Sequence, residues 1–300
     1  MNSRWIELAK KADFNAWGRA LGVDPLTARL IRNRGIETPE EAHLFLYGTM
    51  KDLADPGSMK DLVRAADLLV AAKESGALVS IVSDYDDDGI FSGQILAEGF
   101  ARCGIRALRY APDRFSEGYG LNRRIIDDSA AAGASLIITC DNGIAAREEI
   151  LYAKELGMQV IVTDHHEPQF GSLAADAVVD PKQPDCAYPY KELCGPGIAF
   201  RLIQVLYARC GVPDTEEAAF HEYLAMGTVA DVVPLTGENR YMVKAGLEAL
   251  NHTDKPGFRA LIDACGLQPG QLSCYTIGFV LGPCFNAVGR LLGTIDLAVS

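Results

Sequence analysis

Three runs of apolar residues in this chain end in side chains able to hold a metal ion or a phosphate. Val160-Ile161-Val162-Thr163 leads into Asp164-His165-His166. Ile81-Val82-Ser83 leads into Asp84-Tyr85-Asp86-Asp87-Asp88-Gly89, and Leu136-Ile137-Ile138-Thr139-Cys140 into Asp141-Asn142-Gly143. In Asp84-x-Asp86 alternate side chains of an extended tip face the same side, so two carboxylates can serve one cleft. Carboxylate oxygens suit hard divalent cations. Of two adjacent histidines, one can ligate a metal while the other donates to a phosphate oxygen. A further acid, Asp231, lies in the apolar stretch Thr228-Val229-Ala230-Asp231-Val232-Val233-Pro234, where burial without a cation or a donor would be costly. Each feature has a plainer reading: Asn142-Gly143 is a turn signal, a histidine pair is often a surface feature, and Asp88 at a helix start is expected to cap rather than to ligate. A calcium loop is disfavoured, because its twelfth position is Ile95 rather than glutamate. What favours a shared site is that all three tips end strand-like runs. Parallel sheets bind ligands outside the carboxyl ends of their strands.

The elements needed to align those tips are legible. Strands near 78–83, 106–111, 135–140 and 159–163 alternate with helices near 90–103, 122–132 and 145–156, the rhythm of an α/β parallel sheet with helices on both faces. The runs show no polar alternation, as expected of strands covered on both sides. Residues 1–55 read as a helical N-terminal segment, with Asp24-Pro25 and Thr38-Pro39-Glu40-Glu41 as helix starts, and 56–300 as the domain holding the tips. A helix is expected around Asp61 to Lys73. Beyond Asp180 a proline-rich connector leads, from about 196, into a mostly helical part, and Arg290 to Ser300 reads as a helix just beginning.

Composition narrows the classes. A chain of 300 residues with 49% hydrophobic content can bury a large core. No apolar run reaches the ~18 residues of a spanning helix, and the first residues lack a secretory h-region, so a cytoplasmic protein without a membrane partner is expected. The eight cysteines are never closer than the eight-residue step from Cys186 to Cys194, which leaves no Cys-x-x-Cys pair and suggests reduced thiols. A net charge of −12 speaks against a basic nucleic-acid surface overall. One segment is an exception: Arg102, Arg106, Arg109, Arg114, Arg123 and Arg124 are interleaved with Tyr110, Phe115 and Tyr119. Arginine with aromatic faces suits single strands, where stacking gives about 1–3 kcal/mol per base; an ordinary solvated helix face is the alternative.

Asp84-Tyr85-Asp86-Asp87-Asp88-Gly89, Cys140-Asp141-Asn142-Gly143, Asp164-His165-His166 and Ala230-Asp231-Val232-Val233-Pro234 stand in the order of the four motifs of the DHH phosphoesterase superfamily, which this chain resembles. Within it the chain is similar to the RecJ family of single-strand-specific 5′→3′ exonucleases. That similarity extends through Arg114-Phe115-x-x-Gly118-Tyr119-Gly120-Leu121, the segment Tyr188 to Phe200, and Gly282-Pro283-x-x-Asn286-Ala287-x-Gly289-Arg290-Leu291. The resemblance implies a metal-dependent exonuclease that hydrolyses single-stranded DNA in recombination and repair, with two Mn2+ or Mg2+ ions. It implies that Asp141 bridges the ions, that Asp86, His165 and Asp231 complete one, and that Asp84 serves the other as its sole private ligand. His166 would contact the scissile phosphate with Asp164 behind it, and Arg114, Tyr119, Asn286 and Arg290 would contact DNA. A helicase and a single-strand-binding protein are the partners it suggests.

Ser83, Asp87 and Cys284 depart from the family's usual glycine, alanine and arginine, the last expected to weaken one phosphate contact. The resemblance also implies DHHA1 and OB-type domains beyond residue 300, so the chain is expected to be a catalytic core. Two other functions fit the same motifs: a DHH phosphodiesterase of short oligoribonucleotides or cyclic dinucleotides, and a non-catalytic DNA-binding scaffold.

Overall fold

The capping signals near the N-terminus produce three short helices, α1 (Phe14–Leu21), α2 (Pro25–Asn33) and α3 (Pro39–Tyr47). Asp24 accepts hydrogen bonds from the amides of Leu26 and Thr27, and Thr38 with Glu41 forms a capping box, each ahead of a proline at the first helical position. Their apolar sides, including Trp17, Leu21, Ala28, Ile31 and Ala42, close a small core of their own. The chain divides after Leu53 into this unit and a second one beginning at Ala54. The structure is a computed structural model and describes residues 10–168, 171–295 and 298.

In the second unit α4 (Leu62–Ser75) precedes β1 (Leu78–Ser83), α5 (Asp87–Cys103), β2 (Arg106–Tyr110), α6 (Arg123–Ala131), β3 (Ala134–Cys140), α7 (Arg147–Glu155), β4 (Gln159–Thr163) and β5 (Ala177–Val179). All strand pairs are parallel, in the order β2-β1-β3-β4-β5. Val82, Ile137, Val160 and Val162 pack with Ile125, Ile126 and Ile150 of α6 and α7, while α4, α5 and α8 (Gly195–Cys210) contact strands or one another in a second layer. This covering explains why the strands read as unbroken apolar runs. The sequence did not reveal β5. It is three residues long, yet Val178 and Val179 pair with Val162 and Thr163.

After α8 come α9 (His221–Ala230), α10 (Gly237–Asn251), α11 (Pro256–Ala264), the single turn α12 (Cys274–Thr276), a π-helical segment Ile277–Leu281 and α13 (Gly282–Leu292). The expectation of a helix beginning at Arg290 is corrected. Arg290 lies in the last turn of α13, which Gly293 terminates in the left-handed conformation at φ 80°. Residues 296, 297, 299 and 300 of that expected helix lie outside the described residues. Among the described residues no helix is long and apolar enough to cross a membrane.

Candidate metal centre

Strand register aligns the acidic tips. Ser83 pairs with Cys140, Cys140 with Thr163 and Thr163 with Val179, so Asp84, Asp141, Asp164 and Asp180 each follow the last paired residue of their strand. Asp84 and Asp141 flank the point where the strand order reverses, with β2 on one side of β1 and β3 on the other, and Asp164 lies one strand further along. That crevice is the usual ligand position in open parallel sheets. All four acids are at most 3% exposed.

The first tip turns directly into α5. Asp86 is the N-cap residue, its carboxylate accepting from the Gly89 amide at 3.2 Å. The assignment of Asp88 to capping is therefore corrected. Asp88 lies two positions further on, inside the helix, and its Oδ2 instead accepts from the Gly195 amide at 2.9 Å and faces His165 Nε2 at 3.2 Å. Sequence reasoning missed this residue because an acid in a first helical turn already has a local explanation. Gly195, at the N-terminus of α8, makes the approach possible: a Cβ there would lie 2.9 Å from Asp141 Cβ and 3.0 Å from Asp88 Oδ2.

Asp141 has φ 62°, so the chain leaves β3 by a left-handed turn. Asn142 braces the turn, donating to the carbonyls of Val82 and Cys140 and accepting from the Leu121 amide. The turn reading of Asp141-Asn142-Gly143 is thus correct, Asp141 and Gly143 both having positive φ. Tyr119 donates from its hydroxyl to the Asp141 carbonyl at 2.7 Å, while half of its surface remains exposed.

The two histidines divide between different partners. His165 Nε2 lies 3.0 Å from Asp141 Oδ1, 3.2 Å from Asp88 Oδ2 and 3.8 Å from Asp231 Oδ2. His166 Nδ1 is held at 2.7 Å by Asp164 Oδ1, which also accepts from the amides of His165 and His166. Asp164 Oδ2 accepts from the Ile144 amide. Both Asp164 oxygens are occupied by the protein itself, which makes it a positioning group for the histidine pair.

Ligand-capable atoms gather in three overlapping groups, each with its atoms within 4.8 Å of one another: Asp84, Asp86 and Asp141; Asp88, His165 and Asp231; and Asp141, His165 and His166. Asp86 thus stands with Asp84, and Asp88 supplies the acid beside His165 and Asp231. Burial, and then the charge of Asp86, raises the Asp84 carboxyl to about 7; burial and Asp88 raise Asp231 to about 7 and push Asp141 well above the usual carboxylate range. Burial opposes protonation of His165, but its hydrogen bond to Asp88 and the surrounding carboxylates raise it to about 9. The hydrogen bond to Asp164 raises His166. Buried oxygens of Asp84 and Asp88 have no hydrogen-bond partner. Carboxylates packed this closely without a proton or cation are unstable, and oxygen donors with one imidazole nitrogen match the preferences of Mg2+ and Mn2+. The residues present therefore fit a pair of divalent ions.

Beside these groups opens a cavity of about 320 Å³ whose lining includes Asp84, Asp86, Asp88 and Asp231 together with Arg114, Tyr119, Asn286 and Arg290. Asn286 Oδ1 accepts from the Asp87 amide, and the Arg114 guanidinium lies 4.6 Å from the centre of the Tyr85 ring. The arginine-rich segment as a whole is a correction. Only Arg114 of its six arginines lines this cavity. Arg102 pairs with Glu98 and Glu216, Arg109 with Gln94 and the Ile90 carbonyl, and Arg124 with Glu117 and Asp128. Arg106 reaches the Gly76 carbonyl and Arg123 lies over Tyr152. Glu98 and Asp128 lie one helical turn from their arginines, whereas partners such as Glu216 and the Gly76 carbonyl are distant in sequence and invisible to a reading of local composition.

Comparison with known proteins gives consistent relatives. The single-stranded-DNA-specific exonuclease RecJ of Bacillus subtilis (strain 168) is 42% identical over 271 residues, covering 90% of this chain and 34% of that protein. A crystal structure of RecJ from Thermus thermophilus in complex with Mn2+ superposes with a TM-score of 0.80 at 30% identity, covering 98% of this chain and 41% of that one. A crystal structure of exonuclease RecJ bound to manganese gives 0.72 at 34% identity, covering 80% and 60%. The chain spans between about a third and a half of the length of the curated RecJ relatives it matches. The profile described as "DHH family, N-terminal domain" matches residues 78–228, which hold all four strand-end acids, both histidines and α8, and on that match the chain belongs to the DHH family.

Proposed function

We propose that this chain carries the catalytic centre of a metal-dependent 5′→3′ exonuclease that hydrolyses phosphodiester bonds of single-stranded DNA during recombination and repair. The observation that supports it most is that one cavity of about 320 Å³ is lined both by the clustered carboxylates and by Arg114, Asn286 and Arg290. Asp84 and Asp86 would hold one divalent ion, Asp88, His165 and Asp231 the other, and Asp141, common to two of the groups, would serve both. Mn2+ or Mg2+ supplies, in such sites, a nucleophile at neutral pH and charge stabilisation for an in-line displacement.

The chain's own residues do the rest. Arg114 and Arg290 neutralise and orient the phosphate, guanidinium groups being suited to paired phosphate oxygens. His166, whose hydrogen bond with Asp164 raises its pKa and so favours the imidazolium, would donate from Nε2 to a phosphate oxygen as charge develops. The exposed ring of Tyr119 offers a face to an unpaired base. A helicase that delivers single strands and a protein that coats them are the partners this reading proposes.

Digestion of 5′-labelled and 3′-labelled single-stranded DNA, with a duplex control, in Mn2+ and then in EDTA tests it. The expected result is metal-dependent mononucleotide release from the 5′ end of single strands only. Release from the 3′ end, equal attack on duplex, or no release would contradict it.

A further inference from the structure

Cys284 stands in the first turn of α13, two residues before Asn286 and six before Arg290. Its Sγ lies 3.9 Å from Sγ of Cys265, the residue that caps the C-terminus of α11, and donates to the Val280 carbonyl at 3.2 Å. Both thiols are partly exposed, whereas Cys103, Cys140, Cys186 and Cys194 are buried. Cys284 also borders a second cavity, of about 570 Å³, walled by Phe91, Phe258 and Phe285 and separate from the acidic one. We propose that Cys265 and Cys284 form a reversible disulfide, a modification site that ties α11 to the helix bearing Asn286 and Arg290.

The sulfurs are already in contact, so side-chain rotation and a small closing of the two helix ends bring them toward the ~2.05 Å of a disulfide. The co-reactant is a low-molecular-weight disulfide. Cys284 loses its proton to solvent and its sulfur attacks the small disulfide, expelling one thiolate and leaving a mixed disulfide on Cys284. Cys265, deprotonated in turn, attacks the Cys284 sulfur and expels the second thiolate. Two protein thiols are oxidised and one small disulfide is reduced to two thiols. Bonding removes the Cys284 thiol proton from the Val280 carbonyl and restrains the first turn of α13, so the two phosphate-facing side chains beyond it are displaced. Disulfides that come and go in a reducing compartment are characteristically regulatory.

The test treats the reduced full chain, under native conditions, with excess oxidised glutathione, then denatures it, blocks remaining thiols with N-ethylmaleimide and maps the peptides by mass spectrometry. The proposal expects the Cys265 and Cys284 peptides joined, the other cysteines alkylated, and reversal by dithiothreitol. Cys265→Ser should instead trap one glutathione on Cys284. Alkylation of both thiols in the treated wild type, or stable glutathione on both without a cross-link, would overturn it. A second readout rests on the proposed function: binding of a labelled single strand should weaken several-fold on oxidation, recover with dithiothreitol and stay constant in a treated chain carrying both Cys265→Ser and Cys284→Ser. A cross-link without change in binding would overturn the coupling to α13, whereas a reduced chain that never binds single strands would count against the proposed function and leave the mapped disulfide standing.

Discussion

Asp164 shows how much of a site is decided by which oxygens are already in use. Two amides and the His166 ring occupy its Oδ1 and the Ile144 amide its Oδ2. Burial alone would raise its pKa, yet the hydrogen bond from His166 brings it below the ordinary value. Asp164→Asn keeps the shape and loses the charge, so turnover should drop about 10- to 100-fold. The same variant should lower the His166 pKa, which imidazole NMR would report; an unchanged His166 titration would remove Asp164 from its positioning role. Asp180 is the opposite case. It is fully buried, its Oδ2 has no partner, and burial raises it to about 7. A raised folded-state pKa means that stability is lost as pH climbs from about 4 through about 7. Asp180→Asn should therefore be more stable than the parent in EDTA at about pH 8, by more than about 1 kcal/mol, with the difference vanishing near pH 4. Thermal melts at the two pH values decide it, and equal melting at both would contradict the assignment.

The elements that were legible in the sequence are those whose environment is uniform. Ile81-Val82 and Val160-Ile161-Val162 are covered on both faces, so they read as apolar runs that end where the sheet meets solvent. The tips followed from those runs. What stayed hidden depends on contacts between elements. Ala177-Val178-Val179-Asp180 repeats the pattern of an apolar run ending in an acid, but it is too short to stand out from a connector. Asp88 looked like a helix-start acid because its partner, the Gly195 amide at the start of α8, is 107 residues away. That helix end places its amide and the positive pole of its dipole against the acids. Gly195→Ala should push α8 away from Asp88 and Asp141, since the buried side chains of Ser92, Asp141 and Asp88 leave no room for a methyl group. We expect about 1–3 kcal/mol of destabilisation and a several-fold loss of Mn2+ affinity, read by thermal melting and by metal titration. Unchanged affinity would mean that α8 does not shape the metal groups.

Taken as a whole, the molecule concentrates acid where it has little cation of its own. The net charge is −12, and the tips alone contribute Asp84, Asp86, Asp87, Asp88, Asp141, Asp164 and Asp180. Burial, with mutual repulsion among several of them, raises Asp84, Asp86, Asp87 and Asp141. Divalent ions relieve that repulsion, so chelation should lower the melting temperature and Mn2+ should restore it in a concentration-dependent manner, as mass action requires. The sequence made the need for cations visible through the tips alone. It did not reveal how the groups are apportioned, because Asp86 and Asp88 differ by two positions along the chain but face different partners. Calorimetric titration of the EDTA-stripped chain with Mn2+, beside the Asp141→Asn variant, is the most direct measurement. The account predicts two ions per chain for the parent and weakened binding of both in the variant; a parent that binds one ion or none, or a variant that binds as the parent does, would contradict it.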